Sequence, residues 1–461
     1  MHKKLASIGM IGALFCTSAF AQDVEGPRYD RALAAGYKAQ FLCSGLWNGG
    51  KSLEDIEADE LTGSYERVET VISELTADID NVAREVRVPF ADDLPPRVAI
   101  WNSRSGCTAM PIGYEPTKRV ESTERRAFFD DRSWPMGDRG ALIKPLQRSR
   151  ALQSVARRAF QPEVYGGKTS AALVVKNGRI YAEHYKQGHD LHTAQRSWSV
   201  AKSVSGTLIG HSVLQNVVDV TASAGLPPWQ HADDPRNAIT IEHLLRMASG
   251  LTSDTSGART DAIYLGGSSV AEKAASWPLL HRPDTSFRYA NNDTLLAVLA
   301  TRLQHLRKQR DESGTPGFDP YGFFQKLGMT RTYAERDWQG NYILSSQLWS
   351  TARDFGRLGM LYLNNGMWNG ERLLPEDWRK FVTTASGPQP SRGFGYGATF
   401  WLLNKSEGIP EDAFAAIGNR GQYLVIIPSL DLVIVRRGYD SGDSRFKIED
   451  FVRDVIGALA P

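Results

Sequence analysis

Residues 195–210 read QRSWSVAKSVSGTLIG and place a serine and a lysine, Ser199 and Lys202, three positions apart at the start of an amphipathic run. If both lie in the first turn of a helix, they share a face and their side chains can touch. A serine hydroxyl needs an adjacent base to act as a nucleophile, and a desolvated lysine can serve as that base. The positive end of the helix dipole also favours negative charge developing at Ser199. The stretch is therefore a candidate nucleophile and base.

Taken alone, the pattern has an ordinary structural interpretation, because serine is common at helix starts as an N-cap. The same spacing recurs at Ser444 and Lys447, in what looks like a terminal amphipathic helix. There a capped and solvated helix start is the better interpretation. Other segments must decide between the two interpretations of Ser199.

The first 21 residues, MHKKLASIGMIGALFCTSAFA, have the pattern of a cleaved signal peptide. Lys3 and Lys4 precede an apolar stretch, and Ala19-Phe20-Ala21 gives the small-x-small pattern that signal peptidase cuts. The apolar run is shorter than the roughly 20 residues that a stable membrane anchor needs. The sequence therefore predicts a mature protein that begins at Gln22 and is periplasmic or secreted.

Two cysteines, Cys43 and Cys107, remain after that cleavage. An even pair in an exported chain indicates one disulfide, and two buried free thiols are the alternative. Removing Lys3 and Lys4 leaves 52 basic residues against 52 acidic ones, so no net field attracts nucleic acid or an anionic membrane. We expect a small or neutral partner, and the sequence predicts no oligomeric state.

Residues 22–145 look like an N-terminal accessory region, because helical and alternating stretches there end in a turn-rich segment, DDRSWPMGDRG at 130–140. Its role is open between a lid, a dimer surface and a brace. The predicted elements of this region are a helix at 30–41 and strands at 86–90 and 98–101.

The remaining chain, 146–461, predicts an α+β domain. One hairpin, SAALVVKNGRIYAEHY, turns at Asn177-Gly178, and a second lies near the C-terminus. Strands from both ends that enclose a helical middle give an antiparallel sheet flanked by helices plus a mainly helical lobe, with the site in the cleft between them. The predicted elements are strands at 423–427 and 432–435 and helices at 200–214, 241–247, 294–303, 353–363 and 446–459.

Two further stretches carry candidate site residues. Tyr289 and Asn291 stand just before a helix, where a phenol and an amide can project into the cleft. A half-buried tyrosine and a turn asparagine are the ordinary alternative. Gly418 and Gly421 stand at the head of the C-terminal hairpin, where glycine permits close backbone approach to a ligand, or simply forms a bulge.

In this order, Ser-x-x-Lys, Tyr-x-Asn and a glycine-marked strand resemble the serine β-lactamase and penicillin-binding-protein superfamily. The similarity is greatest to its class C-like branch of esterases, D-aminopeptidases and 6-aminohexanoate-oligomer hydrolases. The stretches 239–252, 348–366 and 394–401 look like further segments of that branch. The resemblance extends over roughly 165–461 and implies a β-lactamase/transpeptidase-like fold.

The resemblance also implies residue roles. Ser199 would be acylated, Lys202 would be its base, and Tyr289 would relay protons to the leaving group. Asn291 would hydrogen-bond the substrate or Lys202. The oxyanion hole would be formed by the backbone N–H groups of Ser199 and Gln422.

The third motif departs from the superfamily pattern. Asn419-Arg420-Gly421 stands where relatives have Lys-Thr-Gly or His-x-Gly, so the usual cation is missing. Arg420 is a possible substitute, although strand alternation would point it away from the face of Asn419. Trp198, beside the candidate nucleophile, fits either the core or a wall of the acyl pocket.

These observations predict an exported serine hydrolase that cleaves a small amide or ester without a metal or organic cofactor. The sequence has no Gly-x-Ser-x-Gly elbow, no His-Glu-x-x-His and no Cys/His cluster. A β-lactamase or D-alanyl carboxypeptidase is the alternative in chemistry. A binding protein on the same scaffold is the alternative in class.

Overall fold

The computed structural model describes residues 19–63, 66–115, 126–143, 147–253, 260–442 and 444–459. Its helices are α1 Ala19–Trp47, α2 Leu53–Asp59, α3 Glu66–Ile72, α4 Gln147–Arg158, α5 Pro162–Tyr165, α6 Val200–Leu214, α7 Ile241–Leu245, α8 Asp261–Tyr264, α9 Val270–Lys273, α10 Asn291–Asp311, α11 Pro320–Leu327, α12 Ala352–Leu363, α13 Trp378–Thr383 and α14 Ile448–Leu459. Its strands are β1 Asp78–Asp80, β2 Glu85–Val88, β3 Arg97–Asn102, β4 Gly106–Ala109, β5 Thr169–Lys176, β6 Arg179–Tyr185, β7 Gln195–Arg196, β8 Tyr333–Ala334, β9 Leu348–Ser350, β10 Met367–Trp368, β11 Glu371–Arg372, β12 Gly395–Tyr396, β13 Trp401–Leu402, β14 Phe414–Gly418, β15 Gln422–Ile427 and β16 Leu432–Gly438.

The main sheet is antiparallel throughout, with strand order β12-β13-β14-β15-β16-β5-β6. Strand β5, which lies between β16 and β6, is almost continuously buried because both of its faces are covered. Leu173 and Val175 pack on the side of α6 and α12, whereas Ala172 and Val174 pack on the side of α4 and α14. The predicted α+β class, a sheet flanked by helices, is confirmed.

The two predicted hairpins form as the turn chemistry requires. Asn177 and Gly178, both with positive φ, connect β5 to β6, and Pro428–Leu430 connects β15 to β16. At the start of α12 the Thr351 hydroxyl caps the helix, because it accepts a hydrogen bond from the backbone N–H of Asp354.

Helix α6 is buried along most of its length and is the centre of the helical lobe. It packs against α10 on one side and against β14 and β15 on the other. This placement brings the N-terminal ends of α6 and α10 and the C-terminal end of β14 to one cleft, which contains the candidate site.

Between residues 78 and 109, strands β1 to β4 form a four-stranded antiparallel meander that packs on α1. The predicted disulfide between Cys43 and Cys107 joins α1 to β4. Four groups near this bond donate hydrogen bonds to the buried carboxyl group of Glu335: the side chains of Gln40, Ser44 and Asn48 and the Cys107 N–H. Because Glu335 follows β8, this contact fixes the N-terminal region to the rest of the protein.

Several predicted elements differ in extent from the observed ones. The helix predicted at 30–41 is part of the longer α1, and that predicted at 294–303 lies within α10, which begins at Asn291. Ser444 and Lys447 precede α14 instead of lying on it. Positions 1–18 of the predicted signal peptide lie outside the described residues. None of the described helices has the length and apolar character needed to cross a membrane.

Candidate active site

Ser199 stands at the N-cap of α6, yet its hydroxyl caps none of the helix N–H groups that the structure describes. It lies instead 3.1 Å from the Lys202 ammonium nitrogen. The preceding residue, Trp198, has a φ of 50°, a left-handed conformation that costs a non-glycine residue about 1–3 kcal/mol. The backbone turn at Trp198 thus directs Ser199 towards the lysine. The capping interpretation does not explain this direction.

Lys202 is buried and has three neighbours within hydrogen-bonding distance. Its Nζ lies 2.6 Å from Asn291 Oδ1, 2.9 Å from the Ser345 carbonyl oxygen and 3.1 Å from Ser199 Oγ. Burial, helped by the positive charge of Arg196, lowers the pKa of Lys202 to about 7. A substantial fraction of the lysine is therefore neutral near pH 7.

The three contacts orient that neutral amine. The amide and carbonyl oxygens can only accept, so each takes one N–H of Lys202. A neutral amine has two such hydrogens and one lone pair, and the lone pair is left for the Ser199 hydroxyl. The geometry therefore suits transfer of the serine proton to Lys202.

Tyr289 completes the group around Ser199. Burial raises the pKa of its phenol to about 12, although hydrogen bonds with Ser199 and Trp401 lower it in part. The Lys202 Nζ lies 5.0 Å from the tyrosine ring centroid. Trp401 and Tyr396 pack against the same ring. A phenol with this pKa keeps its proton at neutral pH and can donate it.

Asn291 is the first residue of α10, and its Oδ1 is the acceptor for Lys202 described above. Two residues further along α10, the buried Asp293 accepts a hydrogen bond from the Ser249 hydroxyl at 2.9 Å. Burial raises the pKa of Asp293 to about 7. The sequence pattern indicated Asn291 but gave no signal for Asp293.

Gly418, at the end of β14, passes directly against the nucleophile. A Cβ atom at this position would lie 2.4 Å from the Ser197 carbonyl oxygen and 3.1 Å from the Ser199 nitrogen. Only glycine lets the strand come this close. Gly421 is similarly restricted, because its Cβ would lie 1.8 Å from Nη1 of Arg436.

The cation missing from the third motif is not supplied by Arg420. Its guanidinium donates to the backbone carbonyl oxygens of Asp59, Tyr439 and Asp440 and is buried in that contact. Asn419 is exposed on the cavity wall, and its side chain accepts from the Arg420 N–H.

Gln422 is placed differently from the other candidates. It pairs with Gly418 at the start of β15, and its side chain contacts Arg437 and the carbonyl oxygen of Gly438. It is not among the residues that line the cavity. The backbone that lies beside Ser199 is that of Gly418.

These groups surround a cavity of about 490 Å³. Of the residues named from the sequence, those that line it are Trp198, Ser199, Tyr289, Asn291, Gly418, Asn419, Arg420 and Gly421. Lining residues that the sequence analysis did not assign include Gly63, Tyr264, Ser346, Trp401, Tyr423 and Arg445. Gly63 comes from the N-terminal region, so that region forms part of the cavity wall.

The family model described as Beta-lactamase matches residues 156–436, more than half of the chain. The chain belongs to the β-lactamase family. Members of this family are serine hydrolases, and this protein is an enzyme of that class. The resemblance inferred from the ordered motifs is confirmed.

Individual relatives are distant. An uncharacterized protein of Alkalihalophilus pseudofirmus is 21% identical over 287 residues, 58% of this chain and 82% of that protein. The structure of a family VIII carboxylesterase superposes with a TM-score of 0.52 at 14% identity. The superposition covers 68% of this chain and 98% of the esterase chain. A penicillin-binding-protein homologue from Caulobacter crescentus has a TM-score of 0.51 at 15% identity, with coverage of 68% and 98%. At these identities the likeness shows the fold alone.

Among the residues that the structure describes, two groups of side chains have the spacing of metal ligands, and both contact lysine or arginine side chains. Asp55, Asp59 and His189 form the first, and Asp59 contacts Lys51, Lys168 and Lys186. The second comprises Asp130, Asp138 and His192, whose carboxylates contact Arg331, Arg353 and Arg357. The charge that would attract a metal ion is thus already balanced.

Proposed function

We propose that the enzyme hydrolyses a small ester or amide through an acyl-enzyme on Ser199. The observation that carries this proposal is the contact of Ser199 Oγ with a buried Lys202 whose other two contacts are acceptors only. In the first step the Lys202 lone pair takes the hydroxyl proton while Oγ forms a bond to the substrate carbonyl carbon. The carbonyl oxygen becomes an oxyanion.

The Ser199 N–H, at the start of α6, is one donor for this oxyanion. The second donor is a backbone N–H at the end of β14, where Gly418 lets the strand reach the nucleophile. We propose this segment in place of Gln422, because Gln422 pairs on the next strand and does not line the cavity.

Collapse of the intermediate breaks the bond to the leaving group, which receives a proton from Tyr289. Tyr289 is suited to this step because its raised pKa keeps the phenol protonated. The Lys202 ammonium, which lies next to Tyr289, then gives its extra proton to the tyrosine phenolate, so both groups return to their starting protonation states. Water attacks the acyl-enzyme with the same groups in the reverse order, which releases the acid and restores Ser199.

The cavity favours an uncharged acyl group. Aromatic walls come from Trp198, Tyr264 and Trp401, and Asn419 offers only neutral hydrogen bonds. The guanidinium of Arg420 is occupied by backbone carbonyl oxygens. A charge-assisted hydrogen bond to a substrate carboxylate, worth roughly 1.5–3 kcal/mol, is therefore missing at the third motif.

One observation favours the second candidate, a β-lactamase or D-alanyl carboxypeptidase. Arg445 lines the cavity, is exposed and forms no ion pair with the residues that the structure describes. A carboxylate-bearing substrate that extended to this edge would meet a cation there. Arg445 therefore provides the variant that separates the two candidates.

The deciding experiment is intact-mass detection of a covalent adduct with a neutral p-nitrophenyl ester, its carboxylate-bearing counterpart and a penicillin. We expect an acyl adduct on Ser199 and a higher kcat/KM for the neutral ester. Greater efficiency on penicillin, lost in Arg445→Gln, would establish the second candidate. Absence of an adduct and of turnover with every probe would favour a binding protein.

We also propose that the protein is exported. The pattern of residues 1–21 supports this, and so does the Cys43–Cys107 disulfide, because such bonds persist in oxidising compartments. Mass spectrometry of protein recovered from periplasm and medium should give a chain that begins at Gln22. A chain recovered from the cytoplasm that retains residues 1–21 would contradict export.

A further inference from the structure

Arg196, on the short strand β7, is buried next to the candidate site and forms no ion pair within 4 Å with the residues that the structure describes. Its guanidinium carbon lies 3.8 Å from the ring centroid of Trp198 and 4.7 Å from that of Phe41, which comes from α1. Nη2 donates to the Ser346 hydroxyl at 2.8 Å. Nε and Nη1 are buried and have no hydrogen-bond partner among the described residues.

This arrangement is costly for stability. A buried charge is normally paired and fully hydrogen-bonded, because its desolvation is expensive. Two aromatic faces give some compensation through cation–π contact, but a methionine would fill the same space without the charge. A cation kept here indicates a role other than packing.

The position of Arg196 relative to Lys202 suggests that role. Arg196 binds Ser346, and Lys202 binds the carbonyl oxygen of the adjacent Ser345. Trp198, which stacks on Arg196, is the residue before Ser199. The two basic side chains thus bind neighbouring residues of one loop, in a site where burial reduces the screening of charge by water.

We infer that Arg196 is a positioning residue for the proposed acyl transfer: its incompletely compensated charge favours the neutral form of the Lys202 amine, which can accept the Ser199 proton. Phe41 holds the guanidinium from the other side, so the N-terminal region takes part in this arrangement. The inference deepens the proposed function and depends on it for its catalytic meaning.

Other titratable groups face these two basic side chains. Asp293 and Tyr289 lie near Lys202 from the α10 side, and Asp293 opposes the effect of Arg196 on the lysine. Glu335 and Tyr264 lie near Arg196, and Arg437 binds the Arg196 backbone carbonyl oxygen. Burial raises the pKa of Glu335 to about 7, so its carboxyl is partly protonated at neutral pH and compensates Arg196 incompletely.

The test compares Arg196→Met, which is neutral, with Arg196→Lys, which retains the charge. Arg196→Gln is a second neutral variant that keeps a donor for Ser346, in case the methionine variant does not fold. The titration of Lys202 is followed by NMR of its ¹³Cε in full-length protein labelled at lysine, with the signal assigned by Lys202→Arg. The acidic limb of kcat/KM for a p-nitrophenyl ester is measured in parallel.

We expect the Lys202 titration and the acidic limb to move up by about one pH unit in the neutral variants, and to stay close to the parent in Arg196→Lys. Activity near pH 6 should fall about tenfold and recover at alkaline pH. An unchanged Lys202 titration in the neutral variants, or a loss of activity equal at every pH, would overturn the inference. If the parent forms no acyl-enzyme, the proposed function fails, while the NMR titration still decides whether Arg196 controls Lys202.

Discussion

At Ser199, two functions of one hydroxyl compete: capping a helix and attacking a carbonyl. The side chain is directed at Lys202 and not at the helix N–H groups, which favours the second. We expect Ser199→Ala to reduce kcat for a p-nitrophenyl ester by on the order of 10³-fold or more, because the acylated oxygen is removed. Steady-state kinetics measure the loss, and circular dichroism checks the fold.

The second Ser-x-x-Lys provides the matched control. Ser444 accepts a hydrogen bond from the Gly167 N–H and is not among the residues that line the cavity. Ser444→Ala should therefore leave kcat close to the parent value. Activity of Ser199→Ala within tenfold of the parent would show that another residue is acylated.

Lys202 sets the pH range of the reaction. Its pKa of about 7 means that the amine is protonated at lower pH and cannot accept the Ser199 proton. We expect kcat/KM to rise about tenfold per pH unit below 7 and to level off above it. Lys202→Arg should be nearly inactive at all pH values, because a guanidinium keeps its proton, whereas Lys447→Arg should follow the parent profile. A profile that is flat between pH 5 and 8 would exclude Lys202 as the base.

At the scale of elements, the close contact between β14 and α6 depends on Gly418. In Gly418→Ala the new Cβ would lie 2.4 Å from a backbone oxygen, so the strand must move away from Ser199. We expect kcat/KM to fall by about a hundredfold, as small misplacements in active sites commonly cause. Gly457→Ala, an exposed position of α14 where a Cβ meets no atom within 4 Å, is the control and should keep full activity. Equal activity of the two variants would refute a role for the β14 backbone in the oxyanion hole.

The sequence predicted the helices and strands that carry the site residues better than it predicted how those elements pack around the site. Ser199 and Lys202 were found because their spacing is local to one helical turn, and Tyr289 and Asn291 because they follow in a known order. Gln422 was predicted to contribute to the oxyanion hole. It lies on β15, beyond a three-residue turn, where it pairs with Gly418 of β14, and β15 is the strand farther from α6. Strand register of this kind depends on turn geometry, which the glycines alone did not specify.

At the scale of the whole molecule, the accessory region forms part of the site that sequence alone assigned to residues 146–461. Gly63 lines the cavity and Phe41 stacks on Arg196. Neither position has a sequence signal, because both roles arise from packing between segments more than 130 residues apart. The predicted domain boundary near residue 145 stays a prediction.

The Cys43–Cys107 disulfide cross-links the accessory region at the point where that region donates hydrogen bonds to Glu335. Cys43 lies on α1 between Gln40 and Ser44, and the Cys107 N–H donates to the same carboxyl group, so the bond joins two of the segments that bind Glu335.

The bonded cysteines are 64 positions apart. A bond that closes a loop of this length typically stabilises by about 2–4 kcal/mol. We therefore expect reduction, or the double variant Cys43→Ser and Cys107→Ser, to lower the thermal unfolding midpoint by several degrees. Calorimetry with and without dithiothreitol measures the shift, and the double variant should show no further effect of the reductant. Alkylation of both thiols in unreduced protein purified from the periplasm would contradict the disulfide.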